Sequence, residues 1–259
     1  MTGLSKTVVD VDGYTLDVHS TLARGSGPVY VLVHGIGASH RYFLPLARNL
    51  AANGSRVYVL DMPGFGSTPA PREALTITDF ARLVLAALER VAAGPAIIVG
   101  HSMGGQVVVE MALQQPDAVT GLLLLGPTAE AGARTVRQQA WRLLRNGVAG
   151  TIRSQMVVTF DYLRCGPRWF RASLPAMLNY QIEQRIACVT VPVLIAAGER
   201  DPVAPGPWLE KLARSCPGAR TAVVAGQPHA AMYTDPGAVS RLCQQTAARI
   251  SNRPTEPTH

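Results

Sequence analysis

Short runs of β-branched and apolar residues alternate along this chain with longer stretches whose apolar residues recur at helical spacing. That alternation restricts the fold to βαβ units around a mostly parallel sheet. Parallel neighbours need a helical crossover, so such a sheet is covered on both faces and its strands are apolar throughout. Hydrophobic residues make up 47% of the 259 positions and charged residues 16%, which is enough apolar material for a core of this kind.

The pattern predicts eight strands. Segments 6–11 and 14–22 form an antiparallel hairpin about Asp12-Gly13, and strands follow at 29–33, 56–60, 96–99, 121–125, 191–197 and 220–224. Helices are expected at 42–52, 76–93, 105–115, 208–215 and 236–250, with Asn53-Gly54, Gly94-Pro95 and Pro116 as stop signals. The alternation disappears from 128 to 187, where helical, arginine-rich sequence takes over. The expected organisation is a core of 1–127 and 188–250, a helical cap inserted at 128–187, and a disordered polar tail at 251–259.

The formal net charge is +7. Between Ala131 and Arg185 stand nine arginines (134, 137, 142, 145, 153, 164, 168, 171 and 185) against only Asp161 and Glu183, so this segment carries the whole excess. Four widely spaced cysteines, 165, 188, 216 and 243, form no C-x-x-C pair and read as reduced thiols. The first ten residues lack the pattern of a secretory signal, and no apolar run approaches the roughly 20 residues that span a bilayer. These features lead to the expectation of a cytoplasmic protein without a membrane span and with no nucleic-acid partner.

Gly100-His101-Ser102-Met103-Gly104 matches G-x-S-x-G. With 24 glycines in 259 residues, chance supplies about 0.1 such matches, so placement carries the argument. The motif follows an apolar strand and opens a helix, the context in which a serine hydroxyl is exposed on a tight turn beside backbone N–H groups. His34-Gly35-Ile36-Gly37 follows the 29–33 strand directly, where a loop could give an amide to an oxyanion. Asp201, in Gly198-Glu199-Arg200-Asp201-Pro202, follows a late strand and is the expected acid, with Glu199 the competitor. Of the histidines at 19, 34, 40, 101, 229 and 259, only His229 lies in a loop between the last strand and the last helix.

Together with Asp61-Met62-Pro63-Gly64-Phe65-Gly66-Ser67, these stretches resemble the α/β-hydrolase superfamily in order and spacing from about residue 28 to 250. The resemblance implies an α/β-hydrolase fold with a catalytic triad of Ser102, Asp201 and His229 and an oxyanion hole formed by the Ile36 and Met103 amides. It requires no cofactor and no metal. Many members carry an acidic residue where this chain has Thr234, and here Pro228 precedes the histidine, so the support of the His229 loop departs from the usual pattern. A serine at the elbow argues against epoxide hydrolases and haloalkane dehalogenases, which carry Asp there.

The function implied is hydrolysis of a carboxylic ester or thioester through an acyl-enzyme. The alternatives are cleavage of a carbon–carbon bond in ring-cleavage dienones, acyl transfer or cyclisation by the same triad, and a binding protein that does not turn over. The partner expected is a small acyl substrate, anionic or linked to CoA or a carrier protein if the arginines surround the site. Large apolar side chains of the cap, Met156, Phe160, Tyr162, Trp169, Phe170 and Met177, are available to line an acyl pocket or to pack the cap internally. Phe160 and Trp169 are the expected substrate contacts there, together with His34, for which structural hydrogen bonding is the competing role.

Overall fold

A computed structural model describes residues 4–21, 26–149 and 152–252. In chain order the elements are β1 (Leu4–Val11), β2 (Tyr14–Thr21), β3 (Val29–Val33), α1 (Leu44–Ala52), β4 (Arg56–Asp61), α2 (Ile77–Arg90), β5 (Ala96–His101) and α3 (Met103–Gln114). They continue with β6 (Val119–Leu125), α4 (Val136–Ala149), α5 (Ile152–Asn179), α6 (Ile182–Arg185), β7 (Val193–Gly198), α7 (Gly206–Ser215), β8 (Arg220–Val224), α8 (Ala231–Thr234) and α9 (Pro236–Ser251). The eight strands form one sheet in the order β1-β2-β4-β3-β5-β6-β7-β8. Pairings involving β2 are antiparallel and the rest are parallel.

The hairpin closes as expected. Val11 pairs with Tyr14, and Asp12 and Gly13 both have positive φ, 51° and 82°, which matches the right-handed twist of the two strands. In the central strands, alternate side chains enter two separate apolar layers. Val31, Val33, Leu122 and Leu124 pack with Phe80, Val84, Val107 and Val108 of α2 and α3. Tyr30, Leu32, Leu123 and Leu125 pack with Leu46 and Leu50 of α1 and Val239 and Cys243 of α9. Burying each such side chain contributes about 1.5–3 kcal/mol, so the register of the central strands is specified from both sides.

Element ends differ from the sequence reading for local reasons. Thr76 caps α2 from outside: its hydroxyl accepts from the Asp79 amide, and Asp79 accepts from the Thr76 amide in return. Strand β7 starts at Val193 because Pro192 has no N–H to give a ladder. Helix α9 runs through Ser251, so the expected tail starts one residue too early, and 253–259 lie outside the described residues. Among the described residues, the α-helices α4 to α6 stand between β6 and β7. Within α5 the backbone breaks at Gly166 (φ 74°, ψ 152°) and resumes at Pro167.

The largest correction concerns α3, which begins at Met103 and not at Gly105. The helix can start directly after Ser102 because Gly104 has no side chain: a Cβ there would overlap the backbone carbonyls of Val33 and His34. Gly105 is different, since its Cβ would meet Pro127 at an ordinary 3.5 Å. We therefore expect Gly104→Ala to lower the unfolding free energy by about 3 kcal/mol. Gly105→Ala should be neutral or stabilising by up to about 1 kcal/mol. Urea titration of the two variants, read as midpoint shifts at constant m, checks the contrast.

Candidate active site

Strand β5 delivers Ser102 onto a turn that an ordinary residue does not favour, with φ 56° and ψ −122°. Such a conformation costs on the order of 1–3 kcal/mol. It is held in place by the Ser102 amide donating to the Leu125 carbonyl (3.0 Å) and the Gly105 amide donating to the Ser102 carbonyl (2.9 Å). The loop after β3 faces it so closely that a Cβ on Gly35 would lie 2.9 Å from Ser102 Cβ. Met103 is the first residue of α3, so its amide has no carbonyl one turn back. Neither the Ile36 nor the Met103 amide donates a hydrogen bond among the described residues.

Asp201 and His229, which stand 28 residues apart, meet at the end of the sheet: His229 Nδ1 and Asp201 Oδ2 are 2.7 Å apart. The other carboxylate oxygen of Asp201 accepts from the amides of Val203 (2.8 Å) and Ala204 (3.2 Å). An ionised carboxylate only accepts, so the Nδ1 proton belongs to His229 and points at Asp201. Glu199 is turned away, accepting from the Gly226 amide at 2.6 Å on the exposed side. Ser102, Asp201 and His229 are all buried.

A chain of hydrogen bonds ties the three segments of the site together. The Gly35 amide donates to the Tyr42 hydroxyl (2.8 Å), and Tyr42 Oη is 2.8 Å from His101 Nδ1. His101 Nε2 lies 3.0 Å from the His229 carbonyl. A carbonyl only accepts, so His101 carries its proton on Nε2 and takes the Tyr42 proton on Nδ1. His101 is therefore neutral. Burial, reinforced by the neighbouring His229, holds its pKa well below the ordinary value. Burial also raises the Tyr42 hydroxyl well above its own. This bond from His101 supports the His229 loop, which leads into α8, the helix that carries Thr234.

Above Ser102 lies a cavity of about 270 Å³, walled by Ile36, Tyr42 and Val203 from the core and by Gln139, Val158, Tyr162, Phe170, Leu174 and Met177 from α4 and α5. Among the described residues that line it there is no Arg, Lys, Asp or Glu. Three sequence expectations fail here. His34 is fully buried and structural: its Nε2 accepts from the Met62 amide (3.1 Å) and its Nδ1 meets the Gly35 carbonyl (2.8 Å). Trp169 packs on Gly64 and Phe65 and does not line the cavity, while Phe170, one step of about 100° further round the helix, does. Phe160 faces outward, 49% exposed, with the Arg41 guanidinium over its ring. Tyr42 was missed because it belongs to no motif; the only signal was that a histidine buried at the elbow needs partners for both ring nitrogens.

One cluster has the composition of a metal site. His40 Nδ1 is 2.8 Å and His19 Nε2 3.6 Å from Asp61 Oδ2. The two imidazoles are stacked, however, with centroids 3.6 Å apart and planes at 20°. Lone pairs lie in the ring planes, so nearly parallel rings cannot both aim at one ion about 2.0–2.1 Å from each nitrogen. The cluster is an electrostatic anchor instead. Burial alone would raise the Asp61 carboxyl, but His19 and His40 beside it outweigh burial and hold it well below the usual carboxylate range.

Residues 28–147 match the sequence family described as the alpha/beta hydrolase fold. A relative from Variovorax paradoxus, assigned by name to carbamate hydrolysis (RutD), is 26% identical over 87% of this chain and 93% of its own length. The monoacylglycerol lipase of Mycolicibacterium smegmatis is 28% identical over 68% of this chain and 71% of its own length. Among solved structures, the enol-lactonase from Burkholderia xenovorans superposes with a TM-score of 0.79 over 93% of this chain and all of that one, at 20% identity, a likeness of fold. With its eight-stranded sheet, its family match over residues 28–147 and the order of its motifs, the chain has the α/β-hydrolase fold and is an enzyme of that fold.

Proposed function

We propose that this hydrolase of esterase, amidase or lipase type acts as a serine esterase on an uncharged acyl group, with Ser102 as nucleophile, His229 as general base and acid, and Asp201 as its orienting partner. The observation that carries this reading is the buried Asp201–His229 pair at 2.7 Å, whose histidine lines the same cavity as the strained Ser102. With the proton fixed on Nδ1, His229 Nε2 is the basic atom. It takes the hydroxyl proton as Ser102 Oγ bonds to the ester carbonyl carbon, and it returns that proton to the departing alkoxide. Water then attacks the acyl-enzyme with His229 again as base, releasing the acid and restoring Ser102.

The charge that develops on the carbonyl oxygen would meet the Ile36 and Met103 amides, at the N-terminus of α3 where the helix dipole favours an anion. The Gly35–Tyr42–His101–His229 hydrogen bonds make Tyr42 and His101 positioning residues, holding the oxyanion loop and the base in one geometry. The substrate is read as neutral because a buried charge in a cavity without a counter-charge costs several kcal/mol. Arg134, Arg142 and Arg185 are engaged by Glu183, Glu130 and Glu110. An anionic acyl group therefore loses three of the arginines expected to attract it. The names of the relatives agree with the coarser class, among them the pimeloyl-[acyl-carrier protein] methyl ester esterase of Vibrio cholerae, 32% identical over 53% of this chain and 50% of its own length.

Ser102→Ala should abolish both stoichiometric labelling by a fluorophosphonate and hydrolysis of a p-nitrophenyl ester; labelling that survives the substitution rejects the assignment. Asp201→Asn should lower kcat about 10³- to 10⁴-fold with the fold intact, since an amide favours the wrong tautomer of His229. Glu199→Gln should change kcat little, and steady-state kinetics of the pair distinguishes the two acids. Tyr42→Phe leaves the Gly35 amide and His101 Nδ1 without a buried partner, so it should cost about 2 kcal/mol or more in denaturant unfolding. It should also lower kcat roughly ten-fold with KM nearly unchanged, because the Ile36 amide is mispositioned only for the transition state.

A further inference from the structure

The arginine excess of the 131–185 segment finds only part of its explanation in the ion pairs to Glu110, Glu130 and Glu183. Arg137, Arg145, Arg153, Arg164, Arg168 and Arg171 remain exposed on α4 and α5. Between Val136 and Asn179 the sequence contains a single acidic residue, Asp161. It is buried, accepting from Ser39 Oγ at 2.7 Å with Arg41 3.5 Å away. The outer face of these two helices therefore carries cations and no exposed carboxylate.

The same face carries large apolar side chains in water. Trp141 and Leu144 on α4 are 62% and 64% exposed, and Ile152, Met156 and Leu163 on α5 are 83%, 67% and 76% exposed. At about 100° per residue, Ile152, Met156, Phe160 and Leu163 fall within an arc of about 80°, with Arg153 and Arg164 on its flank. The α5 residues bound an open groove of about 550 Å³. Gln155 and Thr159 belong both to this groove and to the wall of the cavity above Ser102.

An apolar stripe rimmed by arginines marks an interaction surface. A second copy of this chain is a poor occupant, because apposing the face to itself sets arginines against arginines with no carboxylate to pair them. An anionic lipid surface meets both demands: acyl chains receive the apolar stripe and headgroups receive the guanidinium groups. We propose that the outer face of α4 and α5 docks the enzyme on anionic lipid bilayers, where it takes up lipid-borne esters through the adjoining cavity. The uptake of esters rests on the serine-hydrolase reading; the docking does not.

Sedimentation of the Ser102→Ala protein with sucrose-loaded vesicles tests docking without turnover. Vesicles of phosphatidylcholine with about 30 mol% phosphatidylglycerol should bind at least ten-fold more strongly than phosphatidylcholine alone, and the difference should shrink as salt rises. Adding Arg153→Gln and Arg164→Gln should weaken binding ten-fold or more, since each arginine near an anionic surface contributes roughly five-fold. Adding Met156→Gln and Leu163→Gln, which leaves the charge unchanged, should weaken it to a similar extent. In the background that retains Ser102, both pairs should leave kcat/KM for a water-soluble short ester unchanged. Equal binding to the two vesicle types, or binding untouched by either pair, overturns the proposal. So does wild-type protein that dimerises through this face, or that binds soluble polyglutamate as tightly as vesicles without loss in the Met156→Gln/Leu163→Gln variant.

Discussion

The neutral state of His101 is the condition on which the arrangement around Ser102 depends. The chain from the Gly35 amide through Tyr42 and His101 to the His229 carbonyl runs in one direction, each group donating to the next. A second proton on His101 would turn its Nδ1 into a donor and leave the Tyr42 hydroxyl facing two donors with its own proton unplaced. Burial prevents this by penalising the charged imidazole. Segments that follow three different strands are thereby joined by a few bonds that are strong because water is excluded from them.

Backbone geometry supplies the rest of the pre-organisation. The positive φ of Ser102 persists because β5 continues two residues past its apolar run and α3 starts at once, leaving the serine no room to relax. That abrupt start requires Gly104 against the Val33 and His34 carbonyls. Asp201 is oriented in a similar way, since the amides of Val203 and Ala204 occupy one carboxylate oxygen and leave the other for His229. Strain at one residue and hydrogen-bond saturation at another have the same effect: each holds its side chain in one geometry, which is the pre-organisation that the proposed chemistry needs.

The helices between β6 and β7 have two faces of opposite character. Their inner side is uncharged where it meets the cavity, and their outer side combines exposed aliphatic residues with exposed arginines. Asp161 connects the two regions: it is a buried residue of α5 and accepts from Ser39, in the loop that also carries Ile36. Movement of α5 would therefore be felt at the loop that carries Ile36 through one short hydrogen bond.

The periodicities in the chain were sufficient to define the eight strands, the hairpin and the five helices α1, α2, α3, α7 and α9, because a sheet buried on both faces writes its burial into consecutive apolar residues. The motifs at Ser102, Asp201 and His229 were legible for a related reason: each stands in the turn or loop that follows a strand, where the backbone leaves few residue types able to serve. Side-chain direction within the inserted helices was not legible. Trp169 and Phe170 are adjacent and both aromatic, and about 100° of helix rotation, set by packing against Gly64 and Phe65, decides which of them faces the cavity. His34 and Tyr42 exchanged importance for the same reason, since both depend on partners distant in sequence. What the sequence by itself determined is which segments become strands, helices and turns, through local period and turn chemistry; which side chains meet, and whether the arginines are paired or free, was decided only when the folded elements came together.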